Sequence, residues 1–177
     1  MKKVFSTLIL LTLLITACSD KSDEVVQVLP SQLLSIEEVS PYLEYTPEMS
    51  EESSRRVSVA KFTSNPLGKA DPVIITLYQE NGLKSAKQIR EYYDECKKMR
   101  SDSFGAAVDA DDAFIAYPSL HYYIDGYHVV ITAGSGSNDL QKVLLTNLAN
   151  ISLENLKNLT GVSKTTTEES IPNTDLQ

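Results

Sequence analysis

Positive charge is scarce in this chain of 177 residues, where 16 Lys and Arg face 24 Asp and Glu for a formal net charge of −8. An acidic body is repelled by phosphate backbones and does not adhere flat to anionic lipid by charge, which argues against nucleic acid as a partner. Histidine is sparse too, with His121 and His128 the whole supply. Two imidazoles without a nearby Cys or fixed carboxylate leave a zinc-type site incomplete, so no metal or other cofactor is implied. Also missing are the Gly-Lys-Ser/Thr of a phosphate loop, the Gly-x-Ser-x-Gly of a nucleophile elbow and the spacing of an EF-hand. Asp109, Asp111 and Asp112 therefore read as an acidic loop, and no complete catalytic set is present.

Long apolar runs are lacking as well. The best one, residues 4–15, falls short of the ~20 residues that a membrane-spanning helix needs. Its layout is instead that of a secretory signal peptide: Lys2 and Lys3 form a positive start, residues 4–15 an apolar centre, and Ile15-Thr16-Ala17 leads into Cys18. An aliphatic residue three before the cut, a small residue directly before it and Cys just after it resemble the lipobox of bacterial lipoproteins. That resemblance implies cleavage before Cys18, a diacylglyceryl group on its thiol and often a further acyl chain on the new N-terminus. Residues 1–17 are then a leader, and losing Lys2 and Lys3 takes the net charge from −8 to −10. Two acyl chains hold a protein stably on a bilayer without a basic patch. With Cys18 a thioether, Cys96 has no partner in the chain, and no intramolecular disulfide is expected. Ser19 stands where Asp would signal inner-membrane retention in Gram-negative envelopes. The expected location is extracytoplasmic: the outer membrane if there is one, otherwise the outer face of the plasma membrane.

Residues 18–30 read as the lipidated Cys and a flexible tether, the tether proper ending near Val28; residues 31–160 as one domain, and 161–177 as a disordered polar tail. Ser35 with Glu38 makes a capping box, and Leu34 with Val39 a hydrophobic staple, so a short helix is expected there, broken at Pro41. Residues 48–54 read as an acidic loop. Residues 56–63 and 73–78 read as strands joined through an Asn65-Pro66-Leu67-Gly68 turn. Leu83, Ala86, Ile89, Tyr93 and Cys96 recur at helical spacing and predict an amphipathic helix with Cys96 as a small buried hydrophobe.

Residues 101–112 read as a loop, followed by strands at 113–117, 120–124 and 127–133. Asp125-Gly126 between the last two predicts a type I′ hairpin, because both central positions of that turn need positive φ. The turn sets the register: Ile124 opposite Tyr127, Tyr122 opposite Val129 and Leu120 opposite Ile131 on the core face. On the other face, Tyr123 opposes His128 and His121 opposes Val130, putting the two histidines within roughly 7 Å on a diagonal. His121, Tyr123 and His128 are thus a possible binding patch, against the alternative of a half-exposed or helix-covered sheet face. A last helix is expected from Asp139 to about Leu159, capped by Asn138, with Leu140, Leu144, Leu148 and Ile151 on its apolar stripe.

The sum is an α+β domain, an antiparallel sheet of about five strands with about three helices covering one face of it or flanking it. The stretch Leu34-Ser35-Ile36-Glu37-Glu38-Val39, the Asp111-Asp112-Ala113-Phe114 before a strand, the strand at 127–132 and the leucine-rich last helix resemble the small lipoprotein domains of the DUF3558 group and the wider PsbP-like fold. The resemblance covers residues 31–160 and implies a fold and a location, with no assigned reaction. A non-catalytic binding or envelope-assembly module is the expected function, its partner an envelope protein or small ligand. The alternatives are a carrier of a small apolar ligand held between helix and sheet, and a small envelope serine hydrolase using Ser135 or Ser137 with His121 or His128.

Overall fold

A computed structural model describes residues 26–64, 71–81 and 83–164. The leader with Cys18, the Asn65-Pro66-Leu67-Gly68 turn, Gly82 and the tail from residue 165 lie outside the described residues. In chain order the elements are α1 (Pro30–Leu33), α2 (Ile36–Val39), a 3-10 turn (Ser40–Tyr42), β1 (Pro47–Ser53), β2 (Ser58–Ser64), β3 (Val73–Tyr78), α3 (Ala86–Met99), β4 (Phe104–Gly105), β5 (Asp112–Ala116), β6 (Ser119–Ile124), β7 (Tyr127–Ala133) and α4 (Asp139–Thr160). The strands form one antiparallel sheet in the order β1-β2-β3-β7-β6-β5-β4.

The class is α+β, as expected, but among the described residues the sheet has seven strands against about five expected, and there are four α-helices against about three. Residues read as an acidic loop form β1, whose sequence PEMSEES pairs with β2 from Pro47 opposite Ser64 to Ser53 opposite Ser58. An edge strand takes its hydrogen bonds from its neighbour and needs no apolar alternation; its glutamates also discourage edge-to-edge association. β4 is only two residues long and arises inside the second predicted loop.

Local signals that rest on nearest neighbours agree with the structure. The Ser35 hydroxyl accepts from Glu38 N (3.2 Å) and the Glu38 carboxylate accepts from Ser35 N (2.8 Å), while Leu34 and Val39 are fully buried. Asp125 and Gly126 have φ of 41° and 85°, and the β6–β7 register is the one the turn dictates. Asn138 caps α4 by accepting from Gln141 N (2.9 Å), and Gly161 ends it at φ 74°.

The stripe assigned to α4 is displaced. Leu140 is 80% exposed and Leu144 and Ile151 are only half-buried, whereas Gln141, Leu145, Leu148, Ser152 and Leu156 face the sheet. Two polar residues on the buried stripe hide it from a hydrophobicity count. Ser152 is accommodated because its hydroxyl bonds both the buried Tyr122 hydroxyl (3.0 Å) and Ala149 O (3.0 Å).

α1, α2 and α4 pack on one face of the sheet over Phe62, Ile75, Tyr122, Val129 and Ile131, forming the main core. α3 lies on the other face, where Ile89 and Tyr93 meet Phe114, Ala116 and Tyr123 in a second cluster. The sheet is therefore covered on both faces, not on one. The packed body also begins earlier than the expected tether end, since Val28 is 1% exposed and belongs to the main core. At the other end, Val162 packs against the same core beyond α4.

Candidate functional site

The residues singled out as a patch are brought together, beneath α3 rather than on an open face. His121 Nδ1 lies 3.1 Å from His128 Nε2, and Tyr123 pairs across the strands with His128. His128 is fully buried, Tyr123 is 9% exposed and His121 is half-buried. Rings continue the contact across four strands: Phe114 stacks on His121 (centroids 4.5 Å apart), His121 on His128 (5.4 Å) and His128 on Tyr78 (5.1 Å). From α3, Tyr93 meets His128 edge-on at 5.1 Å, and Tyr92 approaches it at 5.8 Å.

Charge at the margin pins the helix over this cluster. Asp112 accepts from Lys97 at 2.8 Å and lies 3.7 Å from Arg90, which also pairs with Asp94 at 3.1 Å. The Arg90 guanidinium rests on Tyr123 (4.9 Å) and Tyr93 (5.3 Å), and Lys84 sits over Tyr92 (5.1 Å) and Tyr78 (5.6 Å).

Burial keeps both imidazoles neutral. It pushes the His121 pKa from 6.5 down to about 4, with Arg100 adding to the effect, and that of His128 down to about 3, with His121 and Lys84 adding to it. His128 Nδ1 is buried without a hydrogen-bond partner. A bare acceptor is tolerated better than a bare N–H, so the network assigns the His128 proton to Nε2, donating to His121 Nδ1. His121 then carries its own proton on Nε2. The Tyr93 hydroxyl is also buried and unpartnered, and burial raises its pKa, with Asp112 adding to the rise.

The serines weighed as nucleophiles are not brought to the histidines. Ser135 and Ser137 are exposed beyond the Ala133 end of β7, whereas His128 stands near its start; the five strand residues after His128 span roughly 17 Å, and Gly134 turns the chain before Ser135. Among the described residues no group of three or more His, Cys, Asp or Glu is placed to hold a metal ion. The three aspartates read as a loop have separate employment. Asp109 pairs with Lys157 (3.1 Å), whose hydrogen bond lowers its pKa; Asp111 accepts from Asp125 N (3.1 Å); Asp112 holds α3. Cys96 is half-buried beside the second cluster.

A second feature was not visible in the sequence. A cleft of about 510 Å³ opens where residues 27–29, the β1–β2 turn and the exit of β3 meet. Val28 and Leu77 floor it, Leu29, Val57 and Leu83 form apolar walls, and Arg55 and Arg56 stand at the rim. The space is of the size that takes a small organic ligand. Its walls are stitched by side-chain amides: Gln79 accepts from Val28 N (2.9 Å) and donates to Val28 O (2.7 Å), copying a strand pair. Gln27 donates to Glu80 O (2.7 Å), and Asn81 donates to Arg55 O (2.6 Å). The turn is stiffened by Ser54, whose N and Oγ both donate to Val57 O (2.9 and 3.0 Å).

The lining comes from three separated stretches, so no single window of sequence contains the cleft; the adjacent arginines were its one local trace. Gln79→Ala is expected to destabilise the domain by about 1–3 kcal/mol in urea unfolding, since it strands both backbone groups of a buried residue. The same change should speed hydrogen exchange at Val28, and an unchanged rate there would remove the clamp from the description.

Compared with protein-family models, with curated proteins and with solved structures, the chain has no match in any of the three.

Proposed function

We propose that this chain is a lipid-anchored bacterial lipoprotein, held at Cys18 on the extracytoplasmic side of the envelope, whose domain is a non-catalytic binding or envelope-assembly module. The observation that carries the reading is the placement of the cleft: an opening of about 510 Å³ lies where the described chain enters the domain at residues 27–29. The residue types that could do chemistry are elsewhere, with the histidines bonded to each other under α3 and the serines at the far end of β7. That separation counts against the serine hydrolase.

The carrier reading keeps one supporting observation, the apolar floor of the cleft. The ligand would then sit at the end of the sheet, because the space between helices and sheet is filled by buried side chains. Kinship with the DUF3558 group and the PsbP-like fold is proposed on the residues named for it, Leu34 to Val39 and Asp111 to Phe114 above all.

Cys18→Ala is expected to leave the chain unlipidated, with its leader retained or miscleaved, while the domain folds normally. Among the described residues the core is drawn from residues 28–162. Intact mass and membrane fractionation check this: a substituted chain still carrying a diacylglyceryl group, or a wild-type chain without one, would refute the anchor. Native mass spectrometry of freshly isolated protein tests the binding reading by revealing a retained ligand or partner, and wild-type protein that repeatedly retains neither from envelope extract would sink it.

A further inference from the structure

The cleft and the first described residues of the chain lie at the same end of the domain. β2 starts at Ser58 opposite Leu77, β7 starts beside the end of β3, and the Tyr127 hydroxyl donates to Val26 O at 2.8 Å. The β1–β2 tip, the β3 exit and the entry of the chain are therefore neighbours. From Cys18 to Val26 is eight residue steps, which reach at most about 29 Å when fully extended. If Cys18 carries the lipid, this end cannot move farther from the bilayer surface than that.

The surface there is suited to a lipid headgroup. Arg55 and Arg56 are exposed, and neither forms an ion pair with a described residue. Glu51, close to them in β1, is engaged instead by Ser31 N (3.0 Å) and Ser31 Oγ (2.8 Å). Three of the large apolar side chains the domain leaves exposed are at this end: Leu83 at 58% and Leu29 at 46% line the cleft with the arginines, and Val26 at 46% lies where the chain enters. The tip is held in place by Ser54 and Asn81, so little ordering is needed on contact.

We infer that the Arg55-Arg56 tip and the adjoining cleft seat the phosphate headgroup of an anionic phospholipid in the bilayer that holds Cys18, with Leu83, Leu29 and Val26 toward the acyl boundary. This rests on the anchor reading for its geometry. The acidity of the whole chain does not oppose it, because at physiological salt charges beyond about 8 Å are screened and the tip acts locally. Glu52 and Glu80 near the same end make the contact sensitive to salt and to the spacing of the two guanidinium groups.

The test uses the full chain isolated from membranes, its lipid verified by intact mass, in vesicles of phosphatidylcholine with or without phosphatidylglycerol. Hydrogen exchange over residues 53–58 and 79–84 is expected to slow only in the vesicles with phosphatidylglycerol, and the slowing to vanish in high salt. Each arginine contributes about fivefold near an anionic surface, so Arg55→Gln with Arg56→Gln should weaken the docking equilibrium roughly thirtyfold. Equal exchange in both vesicle types, or a double variant that keeps the difference, overturns the inference. So does equal protection of unlipidated Cys18→Ala chain by a soluble short-chain phosphatidylglycerol, which would make the ligand a free amphiphile. Should intact mass show no diacylglyceryl group, the anchor reading fails alone. A Cys96→Ser chain coupled through Cys18 to maleimide-lipid vesicles then gives the same two outcomes for the docking.

Discussion

Taking the folded domain from pH 7 to pH 5 is expected to remove about 4 kcal/mol of stability through His121 and His128 alone. Both pKa values are depressed on folding, from 6.5 to about 4 and about 3, first by burial. Above pH 6.5 both imidazoles are neutral in the folded and unfolded chain, and the contribution is fully present. As the pH falls below 6.5 the unfolded chain takes up two protons that the folded chain refuses, and stability drops until the folded-state values are reached. A domain of this size has about 5–15 kcal/mol in total, so acid unfolding should begin near pH 5. Urea midpoints measured between pH 7 and pH 4.5 would show it, and imidazole resonances of the folded protein should stay neutral over the same range. Replacing both residues by Leu should flatten the pH dependence between 6.5 and 4, whatever it does to stability at pH 7. A wild-type midpoint that does not move in that window would mean that α3 does not seal the pair from water.

Gly126→Val is expected to lower the unfolding midpoint by roughly ten degrees, the consequence of a loss of about 3 kcal/mol. Two effects add. Gly126 has φ of 85°, where a β-branched side chain is a genuine outlier, and a Cβ built there lies 3.2 Å from Ala86 Cβ at the start of α3. The backbone N–H of Gly126 also donates to the Tyr123 hydroxyl at 3.1 Å, so a shift of the turn disturbs the face that carries the histidines. Gly126→Ala keeps the φ strain and a methyl-sized contact with less crowding, and should fall between. If thermal melts place Gly126→Val within a degree or two of the wild type, the turn is not what fixes the β6–β7 register.

Features decided within a few residues were legible in the sequence. The Ser35–Glu38 box, the Asp125-Gly126 turn and the Asn138 cap each satisfy a local geometric demand, and the turn alone transmits register along two strands to the histidines. Features decided by a neighbour distant in sequence were not. β1 is a strand because β2 offers it hydrogen bonds, and its own side chains carry no trace of that. The stripe of α4 was misplaced because Gln141 and Ser152 are polar residues on its buried face, the Ser152 hydroxyl satisfied by Tyr122 and by Ala149 O. The register brought His121, Tyr123 and His128 together, and of the alternatives for that face the helix-covered one is what the structure has; strand alternation locates a second face, and nothing in the alternation says which helix will cover it.

The Gln79 clamp has a mechanical side. Tension on the segment leading from Cys18 enters the domain at Val26 and Val28, which are fastened to the rest by the Tyr127 hydroxyl and by one glutamine amide. These three hydrogen bonds, with that of Gln27 to Glu80 O between them, would be loaded one after another, as in a zipper, whereas the six-residue pairing of β3 with β7 at the centre of the sheet would be loaded only after they part. The first yield under tension is thus a peeling of residues 26–29. Since Val28 and Leu29 are also floor and wall of the cleft, a pull on the preceding segment would unmake the cleft while the sheet stays whole.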